Sequence, residues 1–412
     1  MSQSYTSRAA LPPAFRRVAW SNLFAQFSEQ IALAAAPLAA VLLLSAGPAE
    51  TGWLQTAQTL PFLLLSIPAG LLVDRASRRR LMVGSEALRA LSLATILALL
   101  AAGLLNLPLL AALGFLGAIG TVCYSVAAPA MIPAIVPRAQ LADANRWLEL
   151  ARSVAYAGGP ALGGAIVGWT GAPAAYVLAT VLSILAVMLL RGLPDSRGSG
   201  RKGVRNLLYE LKEGAAFVTT HDLLRPILIT AIFFNTAWFV LQAIYVAYAV
   251  QNLGLSPTAV GITLGIYGGG MVVGALLAPL VARKLSFGMM IVVGPLFGFC
   301  AAIVMLLTIW VPGGFLPAVS FFLFGSGPIL WTITTTTLRQ AVTPDAMLGR
   351  VSALIMTATF GARPIGAAMG AVVAARFGVE ACLLVAAGGF LIQLLVISGS
   401  RVPKLKELPA AS

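Results

Sequence analysis

The polar side chains that could do chemistry are few, and they gather on single faces of apolar segments. Asn22, Gln26, Glu29 and Gln30 recur at helical spacing and share one side of a helix. Asn235, Trp238, Gln242 and Tyr245 follow one another at steps of three, four and three residues and form a second such side. A carboxylate set among amides can take up and release a proton or hold a cation. A stripe of amides and aromatic rings can stack on and hydrogen-bond an amphipathic organic molecule. Trp331, Thr332 and Thr335 form a third polar group, and Tyr124 and Ser125 a fourth. Bond-making chemistry finds no footing. The chain has neither an H-E-x-x-H motif nor a G-x-x-x-x-G-K-[ST] phosphate loop. It has one histidine, His221, and three widely spaced cysteines, Cys123, Cys300 and Cys382, which make no metal spacing and no disulfide framework. The expectation is a protein that binds rather than an enzyme, with no metal and no cofactor.

The elements that carry these residues are written in the composition. Of 412 residues, 59% are hydrophobic and only 10% charged, and mean hydropathy is +0.93. A soluble domain carries about 25% charged residues, so this chain cannot cover a surface facing water. At about 20 apolar residues per crossing, the apolar runs predict twelve spans: 18–46, 51–74, 81–104, 107–136, 143–169, 172–191, 222–250, 257–283, 287–310, 314–339, 346–375 and 378–400. The first run is too long for a cleaved signal and reads as a retained helix.

The net charge of +14 is topological. Arg8, Arg16 and Arg17 precede span 1, and Arg75, Arg78, Arg79 and Arg80 lie between spans 2 and 3. Arg138, Arg191, Arg197, Arg201, Lys202, Arg205, Lys212, Arg283, Lys284, Arg339, Arg401, Lys404 and Lys406 fall at the same alternate loops and ends, whereas the opposite loops hold only Arg376. Positive loops face the cytoplasm. Both termini and the central loop are therefore expected there, and no nucleic acid is needed to explain the charge. Residues 192–220 are the one long polar stretch: a flexible start at 193–200, then an amphipathic surface helix over 203–219, where Leu207, Leu208, Leu211 and Phe217 alternate with charge. The expected division is a six-helix bundle over 1–191, a cytoplasmic linker over 192–220, and a second six-helix bundle with a short tail over 221–412.

Ionisable groups at depth are costly, about 2.5–3.5 kcal/mol each on the insertion scale, so each calls for a partner or a wet cavity. Glu29 lies about eleven residues into span 1, roughly 16 Å deep at about 1.5 Å per residue, and is the leading proton or cation site. Glu86 and Arg89, and likewise Glu149 and Arg152, are three apart and read as local ion pairs. Arg152 and Arg363 are the deeper basic groups, suited to drawing in an anionic substrate.

The two halves repeat. The stretch from Gly70 through Asp74, Arg75, Arg78, Arg79 and Arg80 to Gly84 matches that from Gly274 through Arg283 and Lys284 to Gly288, at an offset of 204. Pro160, in Gly159-Pro160-x-x-Gly163-Gly164, matches Pro364 at the same offset, and Pro137 matches Pro344 at 207. Repeated six-span halves are the build of many secondary transporters, with the substrate site between them near the midplane. Small residues and proline in the Gly-Pro segment allow close approach and bending. Gly268-Gly269-Gly270 reads as packing.

On these motifs the chain resembles the major facilitator superfamily over nearly its whole length. Gly70-x-x-x-Asp74-Arg75-x-x-Arg78-Arg79-Arg80 looks like its loop 2–3 motif, and Gly159-Pro160-x-x-Gly163-Gly164 looks like the motif of its exporters. Leu338-Arg339-Gln340-x-x-x-Pro344-Asp345-x-x-Leu348-Gly349-Arg350-Val351 looks like the bacterial branch holding the enterobactin exporter and macrolide efflux proteins. Helix 4 lacks the arginine that the drug–proton antiporters of the superfamily carry. The resemblance implies an all-α membrane protein of twelve transmembrane helices in two pseudo-symmetric six-helix bundles, in a bacterial inner membrane. It implies export of a drug or siderophore-like metabolite by alternating access with proton antiport, the alternative being import of a small organic solute. It puts Gln26, Glu29, Tyr124, Asn235, Trp238, Gln242 and Trp331 at the substrate and Glu29 and Asp74 in proton coupling. Gly70, Asp74, Arg75, Arg79, Gly159, Pro160, Gly163 and Gly164 would serve gating. The expected partners are the substrate, protons and lipid, and the expected form is a monomer.

Overall fold

The computed structural model describes residues 12–137, 140–195 and 207–409, with side chains throughout except at 66, 67, 70, 71, 74, 75, 142, 207–211, 345 and 346. Its elements are α1 (Pro13–Leu43), α2 (Pro48–Arg75), α3 (Arg78–Ala101), α4 (Leu107–Ile135), α5 (Leu141–Thr170), α6 (Ala172–Arg191), α7 (Leu207–Thr220), α8 (Leu224–Gln251), α9 (Pro257–Ala282), α10 (Phe287–Leu306), α11 (Phe315–Val342) and α12 (Asp345–Ser398). Apart from α12, each begins and ends within about five residues of its expected span or, for α7, of the expected surface helix. Local chemistry sets the ends. Pro13, Pro48, Pro108, Pro173 and Pro257 sit in first turns, where a missing N–H costs nothing. Ser77, Asn106, Ser256 and Ser286 accept hydrogen bonds from the backbone N–H groups of Arg80, Leu109, Ala259 and Met289.

Nine of the described helices are long and apolar enough to cross a membrane, α12 among them. That helix merges two expected spans and supplies two crossings, because it breaks at Gly378 (φ 81°, ψ 179°). The equivalent turn between α5 and α6 is Gly171 (φ 88°, ψ 167°). Only glycine adopts this conformation without strain, so the internal repeat extends to the backbone of both turns. The more polar α2 and α5 complete twelve crossings.

In the first half α1 packs on α5 and α6, α3 on α4 and α6, and α2 on α4. In the second half α8 packs on α12, α9 on α11, and α10 on α11 and α12. The halves meet through two seams, α5 with α9 and α2 with α12, which the repeat makes equivalent. An even number of crossings puts the start of α1 and the end of α12 on one side, here the near face; the turns at Gly171 and Gly378 lie on the far face. The α5–α9 seam is tight from mid-depth, where a Cβ on Gly268 would stand 2.5 Å from the Cα of Ala157, out to the far face. A Cβ on Gly164 would stand 2.6 Å from the Cα of Gly261, and one on Gly52 would stand 2.7 Å from the Cα of Ala371. Gln251 Nε2 also donates across the halves to the Ala46 carbonyl at 3.1 Å.

On the near face α7 is tied to the second half: Arg350 at the start of α12 donates to Glu213 at 2.6 Å. The start of the polar stretch is tied to the first half, where Arg79 donates to the Leu193 carbonyl at 3.2 Å and Ser77 pairs with Asp195. Most of the expected flexible segment, 196–200, lies outside the described residues, as do Arg8, Arg138, Arg197, Arg201, Lys202 and Arg205.

Candidate functional site

Serine clamps fix the rotation of α1. Ser21 donates to the Ala186 carbonyl at 3.2 Å and Ser28 to the Ala179 carbonyl at 2.7 Å, both on α6. This turns Glu29 toward α3, where Arg89 Nη1 lies 3.1 Å from Glu29 Oε2. The same guanidinium grips Glu86 through two nitrogens, with Nε 3.2 Å from Oε1. Its Nη1 also donates to Thr121 Oγ1 on α4 at 3.3 Å. Glu86 Oε1 accepts in turn from Ser183 Oγ of α6 at 2.5 Å. Thr121 reaches the cluster because Gly120 lets α4 touch α3: a Cβ there would stand 2.4 Å from the Ser85 carbonyl oxygen.

Four helices thus converge on two carboxylates and one arginine. Glu86 is fully buried, the Arg89 side chain is 5% exposed, and the Glu29 side chain is 19% exposed. A bidentate arginine–carboxylate pair is the strongest neutral unit that side chains can make, and it leaves Glu29 as the surplus negative charge. One proton would bring the cluster to neutrality, and Glu29 is the more exposed of its two carboxylates. Sequence reading paired Glu86 with Arg89 but missed that Arg89 also holds Glu29, since no spacing reports a contact between α1 and α3.

A second group lies across the interface. The Arg363 guanidinium of α12 is 4.5 Å from the Phe360 ring centre and 5.6 Å from those of Phe62 on α2 and Phe239 on α8. Phe62 and Phe360 meet edge to face at 5.6 Å across the halves. Tyr156 of α5 and Tyr267 of α9 stand within the fields of both Arg152 and Arg363, and Tyr156 also within that of Glu29. Arg152 lies over Tyr156 at 5.9 Å and pairs loosely with Glu149 at 3.5 Å. None of these rings was singled out from the sequence; a phenylalanine or tyrosine in an apolar run carries no signal of its own.

The other expected site residues are distributed as follows. Gln26 is half-buried beside Glu29, and Gln242 is half-buried on α8. Asn235 donates to its own helix at the Ala231 carbonyl, 2.9 Å away. Trp238 is buried among Phe234, Tyr267, Phe321 and Phe324, with Tyr267 at 5.1 Å. Tyr245 and Tyr248 are buried and hydrogen-bonded to Thr263 and Thr308. Trp331 leans on α10, where a Cβ on Gly294 would meet its Cβ at 2.5 Å. Tyr124 is buried, with Ser21, Glu86 and Arg89 around its hydroxyl. Gly159 and Gly163 press on Gln30 and Ile31 of α1, while Gly164 and the Pro160 carbonyl press on Gly261 of α9, so the Gly-Pro segment is the sheet of contact between α1 and the opposite half. Gly70 lies in α2, which Asp74 and Arg75 close; the side chains of those two fall outside the described residues. Two shallow grooves of about 360 and 390 Å³ lie at Arg17–Gly192 and Asp222–Arg401, on the near-face rim and away from these groups.

Solved transporters share this arrangement. A bacterial homologue of the iron transporter ferroportin, in an inward-facing state, superposes with a TM-score of 0.73 over 94% of this chain and 98% of that one, at 15% identity. A peptide transporter in complex with sulfate gives 0.76 over 98% and 97%, at 14% identity. Among sequences, macrolide efflux protein A of Streptococcus pyogenes is 25% identical over 364 residues, 85% of this chain and 86% of its own. The multidrug efflux pump Tap of Mycolicibacterium fortuitum is 28% identical over 381 residues, 86% and 88% of the two chains. The enterobactin exporter of Citrobacter koseri is 27% identical over 260 residues, 62% and 59%. The family model described as transmembrane secretion effector matches residues 10–412. With twelve crossings in two repeated bundles and that match along nearly all its length, the chain belongs to the transmembrane secretion effector family of the major facilitator superfamily, a family of multi-pass membrane transporters.

Proposed function

We propose that this transporter exports amphipathic small molecules, of drug or siderophore-like type, by alternating access driven by proton antiport. The single observation that carries the coupling is the shared arginine: Arg89 faces both Glu86 and Glu29, leaving one negative charge in excess at the edge of the interface between the halves. Proton entry neutralises Glu29 and loosens its tie to Arg89, and proton loss restores it. At about 150 mV one proton supplies about 3.5 kcal/mol, enough to sustain roughly a 300-fold gradient of a neutral solute. The efflux proteins among its relatives support the outward direction.

In this reading the near face is cytoplasmic, which the arginine distribution supports, and the membrane is the bacterial inner membrane. The protein works as a monomer with two bundles, 1–191 and 221–412, joined by 192–220, whose helix lies on the membrane surface. The far-face seam at Gly164–Gly261 and Gly52–Ala371 is the closed outer gate. Asp74 and Arg75 form a latch on the opposite side, as the resemblance implies. Gln26, Gln242, Asn235 and Tyr267 line the solute path.

Glu29→Gln tests the coupling. Arg89 keeps Glu86 in that variant, so the fold survives. Efflux driven by a pH gradient in vesicles is expected to fall at least about tenfold, while gradient-free exchange persists. Undiminished gradient-driven efflux would remove Glu29 from the mechanism. Asp74→Asn is expected to slow exchange itself.

A further inference from the structure

We propose that Arg363 and its three phenylalanines form a binding site for the charged end of an aromatic anion, so that the exported solute is a flat molecule carrying a carboxylate or similar acid group. This inference rests on the export reading above and narrows its substrate class. Three arginines lie deep in the spans: Arg89, Arg152 and Arg363. Arg89 spends its donors on Glu86, Glu29 and Thr121, and Arg152 has Glu149. Arg363 faces Phe62, Phe239 and Phe360.

Aromatic faces attract a cation through their quadrupole, but a ring offers no lone pair to a donor. A guanidinium carries five N–H donors. Among the described residues none of those on Arg363 has an acceptor, and its Nε is buried without one. A fixed positive charge with unspent donors at membrane mid-depth marks a substrate or ion path. Phe62 and Phe239 sit near the midpoints of α2 and α8, and Arg363 near the midpoint of the first crossing of α12, before the break at Gly378.

The surroundings select the shape of the anion. Phe62 comes from the first half and Phe239 and Phe360 from the second, so the cage is assembled only where the halves meet. Tyr156 and Tyr267 add two further rings, each with a hydroxyl, and Arg152 adds a second cation in the same field. Glu29 stands in the field of Arg363 without touching it. A planar ring slides between the phenylalanines, and its acid group accepts the fork of donors that the rings leave free.

Binding to the purified full-length transporter tests this. Quenching of tryptophan fluorescence in dodecylmaltoside is measured with 2-naphthoate and with 2-naphthamide, which share a ring system and differ by one charge. The wild type is expected to bind the carboxylate at least about tenfold more tightly, as loss of one charge-assisted hydrogen bond predicts. Arg363→Gln is expected to abolish that preference, and Arg363→Lys to keep part of it. Equal affinities in the wild type would overturn the proposal, and that comparison needs no variant to fold. So would a preference that survives in Arg363→Gln, or erythromycin, a cationic macrolide, binding more tightly than naphthoate. Displacement of naphthoate by inorganic sulfate at equal concentration, or by added phosphatidylglycerol, would reassign the charge to a simple anion or a lipid headgroup and equally overturn it. Binding reads neither direction nor proton coupling. A negative result here therefore leaves the Glu29 reading standing, and failure of Glu29→Gln leaves this one standing.

Discussion

Gly168 of α5 and Thr258 of α9 face each other across the seam between the two halves, with a Cβ on Gly168 placed 3.6 Å from the Thr258 Cβ. That separation lies in the range a disulfide spans, about 3.5–4.5 Å between Cβ atoms. With Cys123, Cys300 and Cys382 replaced by serine, Gly168→Cys with Thr258→Cys is expected to cross-link on mild oxidation. Rocking of the halves must open this seam, so transport is expected to drop at least about tenfold and to return on reduction. A fully cross-linked protein that still transports would show that the seam stays shut through the cycle.

The fold was legible because each crossing is announced by chemistry that acts locally. Pro48 and Pro257 open helices, Ser77 and Ser286 cap them, and apolar runs between breakers have the length of a membrane. Even the turns at Gly171, between α5 and α6, and at Gly378, within α12, fall at breaks between expected spans. The site was half legible. Glu29 stood out because a carboxylate in an apolar run has no cheap alternative reading. Arg89 did not, because a partner three residues away, Glu86, already explained it. The cage around Arg363 was hidden for a different reason. Phe62, Phe239 and Phe360 are drawn from three helices, and nothing in one apolar run states which ring of another it will touch. Trp238 and Trp331 show the converse: periodicity put them on polar stripes, and packing against Phe324 buried Trp238 while packing against Gly294 left Trp331 half-buried.

Arg89→Gln is expected to damage the fold far more than Glu29→Gln. It strands Glu86, fully buried, beside Glu29 with no cation between them. Breaking a buried pair by removing one partner costs about 3–5 kcal/mol. The double variant Glu86→Gln with Arg89→Gln leaves no stranded charge at Glu86 and is expected to recover most of that loss. Thermal unfolding in detergent of the two singles and the double gives the coupling directly. A double variant as unstable as Arg89→Gln alone would show that lost packing, not stranded charge, is the cause.

His221 supplies a pH response at the α7–α8 corner. Its Nδ1 accepts from the backbone N–H of Leu223 at 3.1 Å and of Leu224 at 3.4 Å, and its ring packs on Phe217. Burial lowers its pKa from the ordinary value of 6.5, against the opposing pull of Asp222. Only the neutral ring can accept those two bonds; protonation turns Nδ1 into a donor and sets a positive charge at a helix N-terminus. The group therefore contributes stability that is complete above about 6.5, its unfolded value, and is lost as pH falls through the lower folded value. Protection of the Leu223 and Leu224 amides, measured against the intrinsic exchange rate at each pH, is expected to fall on going from pH 7 to pH 5. His221→Asn can cap the same N–H groups without titrating, so its protection is expected to stay constant. Equal pH dependence in the wild type and His221→Asn would show that the corner is held by Asp222–Arg401 and the Phe217 contact instead, with the imidazole a bystander.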